Sequence, residues 1–136
     1  MESGRIRVLL IDDCPSIGVA LSALLSQSDH LQVVGVAKNG VQALEFVETL
    51  SPDVIVTDLE MPGMHGADFV VRQMSRRAIP IIVFSGLAVD DPLAIMAMAG
   101  GAVDYLRKPV RCEEVATQQE SLQAKILQAA GRPSIR

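Results

Sequence analysis

The sequence predicts an α/β protein, namely a three-layer doubly wound fold in which five strand–helix units build a five-stranded parallel sheet. Short aliphatic runs alternate with longer stretches of helical periodicity along all 136 residues. The aliphatic runs are continuously apolar, as expected of strands that helices cover on both faces. Right-handed crossovers between such strands lead to a layered fold.

Five strands are predicted because five runs of four to six residues are rich in Val, Ile and Leu. In chain order they cover residues 6–11, 32–37, 54–57, 81–84 and 103–106.

Five helices are predicted after these strands, over residues 16–26, 40–50, 67–76, 93–99 and 113–129. Pro15 and Pro92 precede the first and fourth helices, which fits the preference of proline for the first helical turn. We expect one domain over residues 5–129, followed by a linker or free tail over residues 130–136.

Composition narrows the functional class. Hydrophobic residues make up 49% of the chain, enough to exclude disorder, yet no uncharged run is long enough to cross a bilayer. The net charge of −4 and the aromatic content of 3% argue against direct nucleic-acid binding. Two cysteines and a start unlike a signal peptide predict a cytoplasmic protein that does not bind membranes.

Polar residues follow four of the predicted strands. Asp12 and Asp13 follow the first strand, Asp58 the third, Ser85 the fourth and Lys108 the fifth. In a parallel sheet these residues share the edge where ligands bind. Because like charges repel, the three carboxylates require a cation, and magnesium suits an oxygen cluster with open positions for water and phosphate. This set predicts phosphoryl transfer.

The motifs that carry these residues resemble those of response-regulator receiver domains. They are the acid pair after Ile11, the segment 58–66, which is similar to the family pattern D-x-x-M-P-x-M-D-G, the pair Ser85-Gly86, and the segment 105–109. The resemblance, which is to chemotaxis regulators, covers residues 5–129. It implies the flavodoxin-like strand order 2-1-3-4-5, an order known for this family.

The resemblance implies that Asp58 accepts a phosphoryl group from a sensor histidine kinase or a phosphotransfer protein. Lys108 and Ser85 would contact the transferred group. The domain would be a phosphoacceptor switch in two-component signalling rather than an enzyme, with intrinsic magnesium-dependent self-phosphorylation and autodephosphorylation.

The resemblance also implies a set of metal ligands. Asp13, Asp58 and the backbone carbonyl of Glu60 would bind Mg²⁺ directly, Mn²⁺ being able to substitute, and Asp12 would act mainly through water. The side chain of Glu60 would reach the edge of the phosphate site and affect dephosphorylation.

A switch is implied at Ser85 and Tyr105. The tyrosine would turn inward when Ser85 moves toward the phosphate and would alter a distant surface. The resemblance further implies a cis peptide bond between Lys108 and Pro109.

The fourth helix is unusual because residues 92–99 include no charged side chain. One interpretation is that its Met and Ala residues fill the core. The other is an interface with an effector or a second copy, on the face that the fourth helix, fifth strand and fifth helix form in this family. The possible interface residues are Leu93, Ile95, Met96 and Met98.

Other functions fit the sequence less well. An Asp-nucleophile phosphatase would need D-x-D after the first strand, and a flavin carrier would need a phosphate loop and aromatic residues. Two alternatives remain. One is a receiver fold used only for protein interaction or dimerisation. The other is the truncated regulatory domain of a chemotaxis protein methylesterase, to which Glu60 and residues 33–37 and 101–105 are similar.

Overall fold

The computed structural model describes residues 4–131, with only the backbone of Cys112. It contains a five-stranded parallel sheet in the order β2-β1-β3-β4-β5, which confirms the predicted topology. The strands are β1 (Ile6–Ile11), β2 (Leu31–Ala37), β3 (Val54–Thr57), β4 (Ile81–Ser85) and β5 (Asp104–Arg107).

Within residues 4–131, five α-helices accompany the sheet, and each begins and ends close to its predicted bounds except the last, which begins later than predicted. They are α1 (Pro15–Leu25), α2 (Gly40–Leu50), α3 (Gly66–Arg76), α4 (Pro92–Ala99) and α5 (Gln119–Ala129). No helix within residues 4–131 combines the length and the apolar character that crossing a membrane requires. Of the predicted tail, residues 132–136 lie outside the described residues.

The prediction of one continuous helix over residues 113–129 is wrong in its first part. Cys112–Gln118 forms a 3₁₀ helix, and the α-helix starts only at Gln119. The side-chain amide of Gln118 donates to the carbonyl of Arg107 at 3.0 Å, and Val115 is buried. These two contacts tie the segment to the end of β5 and to the core, which favours the tighter helix.

The sheet is buried on both faces, as the continuous apolar runs indicate. Alternate residues of β1 enter opposite cores, Leu9 and Ile11 on one face and Val8 and Leu10 on the other. The first core also takes residues from α2, α3 and α4, and the second takes residues from α1 and α5. Fully burying one such aliphatic side chain contributes about 1.5–3 kcal/mol. The layers therefore hold the carboxyl edge of the sheet rigidly.

The structure of α4 supports part of each interpretation of its composition. Ala94 and Ala97 are fully buried, and Leu93 and Met98 pack half-buried against the core. Ile95 and Met96 remain 56% and 39% exposed. Small and flexible side chains therefore fill the core side of the helix, and two large apolar side chains face outward.

Candidate functional site

The sheet brings together the polar residues predicted to share one edge. Asp12 and Asp58 directly follow β1 and β3, Ser85 ends β4, and Lys108 directly follows β5. Asp12, Asp58 and Ser85 are at most 6% exposed. Buried polar groups of this kind require partners, so the contacts among them define the site.

Three carboxylates form a compact acidic cluster. Asp12, Asp13 and Asp58 each contribute an oxygen atom, and these three atoms lie within 4.8 Å of one another. Asp13 is exposed, whereas the other two are buried. A cluster of hard oxygen donors that is open on one side fits Mg²⁺, which uses few protein ligands and keeps several waters.

The side chain of Lys108 places an ammonium group beside this acidic cluster. Its Nζ lies 2.7 Å from Oδ2 of Asp12 and 3.3 Å from Oδ2 of Asp58, and 5.8 Å from the centre of the Phe84 ring. Burial opposes its charge, but the hydrogen bond to Asp12 and the charges of Asp58 and Asp12 outweigh burial and raise the pKa of Lys108. One ammonium therefore faces three carboxylates, which leaves the cluster negative.

Like Asp58, Asp12 has protein partners at both of its carboxylate oxygens. Oδ1 accepts from the backbone N–H of Cys14 at 3.0 Å, while Oδ2 binds Lys108. Its lone pairs are consequently less available to a direct metal bond than those of Asp13.

Asp58 is held in place by backbone donors. Its Oδ1 accepts from the N–H of Leu59 at 2.7 Å and from that of Glu60 at 3.4 Å. Burial and the nearby charge of Asp12 raise the pKa of Asp58, although Lys108 opposes this effect. A cation added to the cluster would favour the ionised form that a nucleophile requires.

The loop after Asp58 is shaped by Gly66, whose role the sequence interpretation did not include. The N–H of Gly66 donates to the carbonyl of Leu59 at 2.9 Å, and a Cβ at this position would lie 1.9 Å from the carbonyl oxygen of Asp58. The glycine of the motif is required because α3 begins directly against the backbone of the candidate phosphoacceptor.

Ser85 and Tyr105, predicted as a switch pair, lie close together. Ser85 is fully buried, and its Oγ accepts from the N–H of Leu87 at 3.3 Å. The hydroxyl of Tyr105 donates to the carbonyl of Leu87, and its partly buried side chain packs against the core. Burial raises the pKa of Tyr105, while the Ser85 hydroxyl and the charge of Arg107 partly oppose the rise.

The predicted cis bond between Lys108 and Pro109 is wrong for this structure, where the bond is trans. The trans isomer is the ordinary preference of X–Pro bonds. The backbone N–H of Lys108 still donates to the carbonyl of Ser85 at 2.8 Å, which places the ammonium-bearing residue beside β4.

A cleft of about 470 Å³ opens above Asp58. Its lining includes Glu60, Gly86, Arg107 and Lys108. Arg107 is a residue that the sequence interpretation missed, although it directly precedes the Lys-Pro pair. Its Nε donates to the carbonyl of Gly86 at 3.2 Å. The cleft therefore gives access to Asp58 past two cationic side chains.

A comparison of the sequence with protein families matches residues 8–120 to the response regulator receiver domain. The chain belongs to the receiver domain family. This membership agrees with the strand order and with the polar residues at the carboxyl edge of the sheet.

Relatives of this receiver domain include enzymes named protein-glutamate methylesterase/protein-glutamine glutaminase. The receiver is 42% identical to one from Halalkalibacterium halodurans over 80% of this chain and 32% of that protein. It is 40% identical to one from Myxococcus xanthus over 93% of this chain and 37% of that protein. The chain thus spans about a third of the length of these relatives.

Among solved structures, the receiver is similar to the response regulator domain of Thermotoga maritima CheB. The TM-score is 0.88 at 32% identity, and the match covers 96% of this chain and 99% of that domain. The fold of the receiver and its similarity to methylesterase regulatory domains therefore agree.

Proposed function

We propose that this receiver domain accepts a phosphoryl group on Asp58 and acts as a phosphorylation switch in two-component signalling. The donor would be a sensor histidine kinase or a phosphotransfer protein. The observation that carries the proposal is the placement of Asp58, which is buried in an acidic cluster, contacts Lys108 and faces an open cleft.

Each residue of the site has a different role in the phosphoryl transfer. A carboxylate oxygen of Asp58 forms a bond to phosphorus while the bond from phosphorus to the donor's imidazole nitrogen breaks, giving an acyl phosphate and free histidine. Lys108 lies 3.3 Å from Asp58 and can turn from the carboxylates to the new phosphoryl oxygens. Backbone donors to Oδ1 keep the Asp58 carboxylate oriented during the reaction.

Mg²⁺ or Mn²⁺ would be held by Asp13, Asp58 and the backbone carbonyl of Glu60. Asp12 would contribute mainly through water, since Lys108 lies 2.7 Å from its Oδ2 and only 3.3 Å from that of Asp58. The metal supplies positive charge for the phosphoryl oxygens. The three carboxylate oxygens within 4.8 Å of one another support this assignment.

Ser85 and Tyr105 would transmit the phosphorylated state. The Ser85 hydroxyl would donate to a phosphoryl oxygen, and the β4–α4 loop (residues 86–91) would follow. The hydroxyl of Tyr105 already contacts this loop at Leu87. The loop leads directly into α4, so its position determines the surface that α4 and β5 present.

The output would be read at the face of α4, β5 and α5, by an effector or by a second copy of the chain. The exposed apolar side chains Ile95 and Met96 support this proposal. We place the signalling reaction in the cytoplasm, and neither a nucleic acid nor a membrane is part of it.

A second candidate is more specific about the effector. The relatives that share this receiver are named methylesterases, and the receiver corresponds to about a third of their length. This similarity favours control of a methylesterase-type effector. Use of the fold for protein interaction alone is less well supported, because the acidic cluster and Lys108 are in place.

Phosphorylation by a small-molecule phosphodonor tests the proposal. Wild-type protein and Asp58→Ala are incubated with labelled acetyl phosphate, with Mg²⁺ or with EDTA. We expect acid-stable, base-labile label on the wild type with Mg²⁺ only. Label that persists on Asp58→Ala, or that forms equally in EDTA, contradicts the proposal. Asp29→Ala, at an exposed aspartate, is the matched control and should retain the label.

A further inference from the structure

Two side chains of β5 hold consecutive carbonyl groups of the β4–α4 loop. Tyr105 and Arg107 are two residues apart on the strand and project to the same side. The Tyr105 hydroxyl donates to the carbonyl of Leu87, and the Arg107 Nε donates to that of Gly86 at 3.2 Å. The loop that follows Ser85 is thus fixed at two neighbouring points.

We propose that Arg107 is a positioning residue that holds the β4–α4 loop in the arrangement in which the Tyr105 hydroxyl bonds to the carbonyl of Leu87. It would favour this arrangement before phosphorylation and so favour the phosphorylated form of the domain. This inference rests on the proposed role of Asp58.

The backbone of Arg107 is fixed independently of the loop. It pairs with Ser85 in the sheet, and its carbonyl accepts from the side chain of Gln118 at 3.0 Å. The N–H of the next residue, Lys108, donates to the carbonyl of Ser85. Because the side chain starts from an anchored point, a loop that moves away from β5 would lose the bond to Arg107.

The hydrogen bond from Arg107 to Gly86 stabilises the loop arrangement in which it forms by the free energy of one charge-assisted hydrogen bond. A contact made in one of two arrangements shifts the equilibrium toward that arrangement. By linkage, a phosphoryl analogue that prefers the same arrangement binds more tightly when the contact is present. We expect its loss to weaken the binding of such an analogue roughly threefold to tenfold, since the side chain is exposed.

Arg107 also lines the cleft over Asp58, so its charge alone offers a different explanation for tighter anion binding. A pair of substitutions separates the two roles. Arg107→Gln removes the charge but retains an N–H donor the same number of bonds from the backbone as Nε. Arg107→Met has similar length and neither charge nor donor.

Tyr105 provides the readout because the chain contains one tyrosine and no tryptophan. Its emission therefore reports on this ring alone. In the unphosphorylated protein, we expect acrylamide to quench Tyr105 more strongly in Arg107→Met than in the wild type, and Arg107→Gln to resemble the wild type. Arg111→Met is the matched control, because Arg111 is an exposed residue of the same edge that pairs with Glu113.

Affinity for beryllofluoride with Mg²⁺ is measured on the same proteins. We expect the largest loss in Arg107→Met and a smaller one in Arg107→Gln. Equal losses in both variants with unchanged quenching would mean that only the charge matters, which overturns the proposal. Quenching in Arg107→Met equal to that of the wild type also overturns it.

The two proposals fail in different ways. A wild-type protein that does not bind beryllofluoride refutes the phosphoacceptor role of Asp58. The quenching comparison does not depend on that binding, and in that case it decides by itself whether Arg107 holds the loop. Circular dichroism spectra of the variants verify that each is folded.

Discussion

At the scale of single residues, the site is a balance between three carboxylates and one ammonium. Lys108 lies closer to Asp12 than to Asp58, at 2.7 Å against 3.3 Å. Burial leaves the pKa of Asp58 raised, although Lys108 and the backbone N–H of Leu59 oppose the rise. A cation bound at the cluster would offset the cost of burial and favour the ionised form of Asp58 that attacks an electrophilic phosphorus.

The raised pKa of Asp58 predicts a pH-dependent cost to stability. Because the pKa is higher in the folded than in the unfolded chain, stability is greatest below the unfolded pKa and falls as pH rises through the folded pKa. In EDTA, we expect Asp58→Asn to melt at a higher temperature than the wild type at pH 7.5. The difference should shrink as the pH is lowered toward 4.

Melting curves from circular dichroism at both pH values check this prediction. Asp29→Asn, at an exposed position, should melt with the wild type throughout. A melting temperature of Asp58→Asn below that of the wild type at pH 7.5 would show that ionised Asp58 stabilises the fold.

We predict that the side chain of Glu60 shortens the lifetime of the phosphorylated state. It is exposed and lines the cleft above Asp58, where water must approach the acyl phosphate. Its carboxylate can accept a hydrogen bond from the attacking water, so we expect Glu60→Asn to lengthen the half-life severalfold. Decay of the labelled protein measures it, with Glu60→Gln as the variant of matched length. An unchanged or shorter half-life counts against this role.

At the scale of elements, the β3–α3 loop links the sheet to the first turn of α3. Gly66 opens that helix directly against the backbone of Asp58, with its N–H bonded to the carbonyl of Leu59. The packing of α3 therefore determines where the Asp58 carboxylate stands, although no side chain of α3 belongs to the acidic cluster.

Gly66→Ala should destabilise the protein because its Cβ would lie 1.9 Å from a backbone oxygen. Relieving such a clash requires movement of the helix or the loop, at a cost of about 1–3 kcal/mol or more. Urea unfolding measures the loss. Gly86→Ala is the stability control, since a Cβ at that position would meet no atom within 4 Å. Equal stabilities of the two variants would contradict this account.

At the scale of the whole molecule, the two cores hold the acidic cluster at one edge of the sheet and leave the outer side of α4 uncovered. Ile95 is 56% exposed on this helix, and Val103 just before β5 is 53% exposed. A single exposed apolar side chain is ordinary, but Ile95 and Met96 are exposed next to each other on α4, and contiguous apolar exposure marks interaction surfaces.

Association through this face is tested with Ile95→Lys. With Mg²⁺ and beryllofluoride, we expect the wild type to increase in apparent mass by self-association or by binding an added effector. Ile95→Lys should lose this change but retain phosphorylation at Asp58. Size-exclusion chromatography with light scattering measures the association, and labelled acetyl phosphate measures the phosphorylation. The control is Val41→Lys, at an exposed residue of α2. Two results would contradict an interface on this side of α4. One is a wild type that stays monomeric, and the other is an Ile95→Lys variant that binds the effector as well as the wild type does.

The sequence by itself determined the five strand–helix units and the edge at which the polar residues meet. Continuous aliphatic runs predict strands buried on both faces, and parallel strands bring their carboxyl ends together. For this reason Asp12, Asp13, Asp58, Ser85 and Lys108 were predictable as one group from their positions after strands.

Only the tertiary structure decided which contacts those residues make. Sequence spacing did not show that Lys108 lies nearer Asp12 than Asp58, that Gly66 touches the backbone of Asp58, or that Arg107 reaches Gly86. Nor did it show the 3₁₀ helix before α5 or the trans bond at Pro109. The contacts of Lys108 and Arg107 join segments far apart in the chain, and the distances between such segments are set by packing of the layers rather than by local preference.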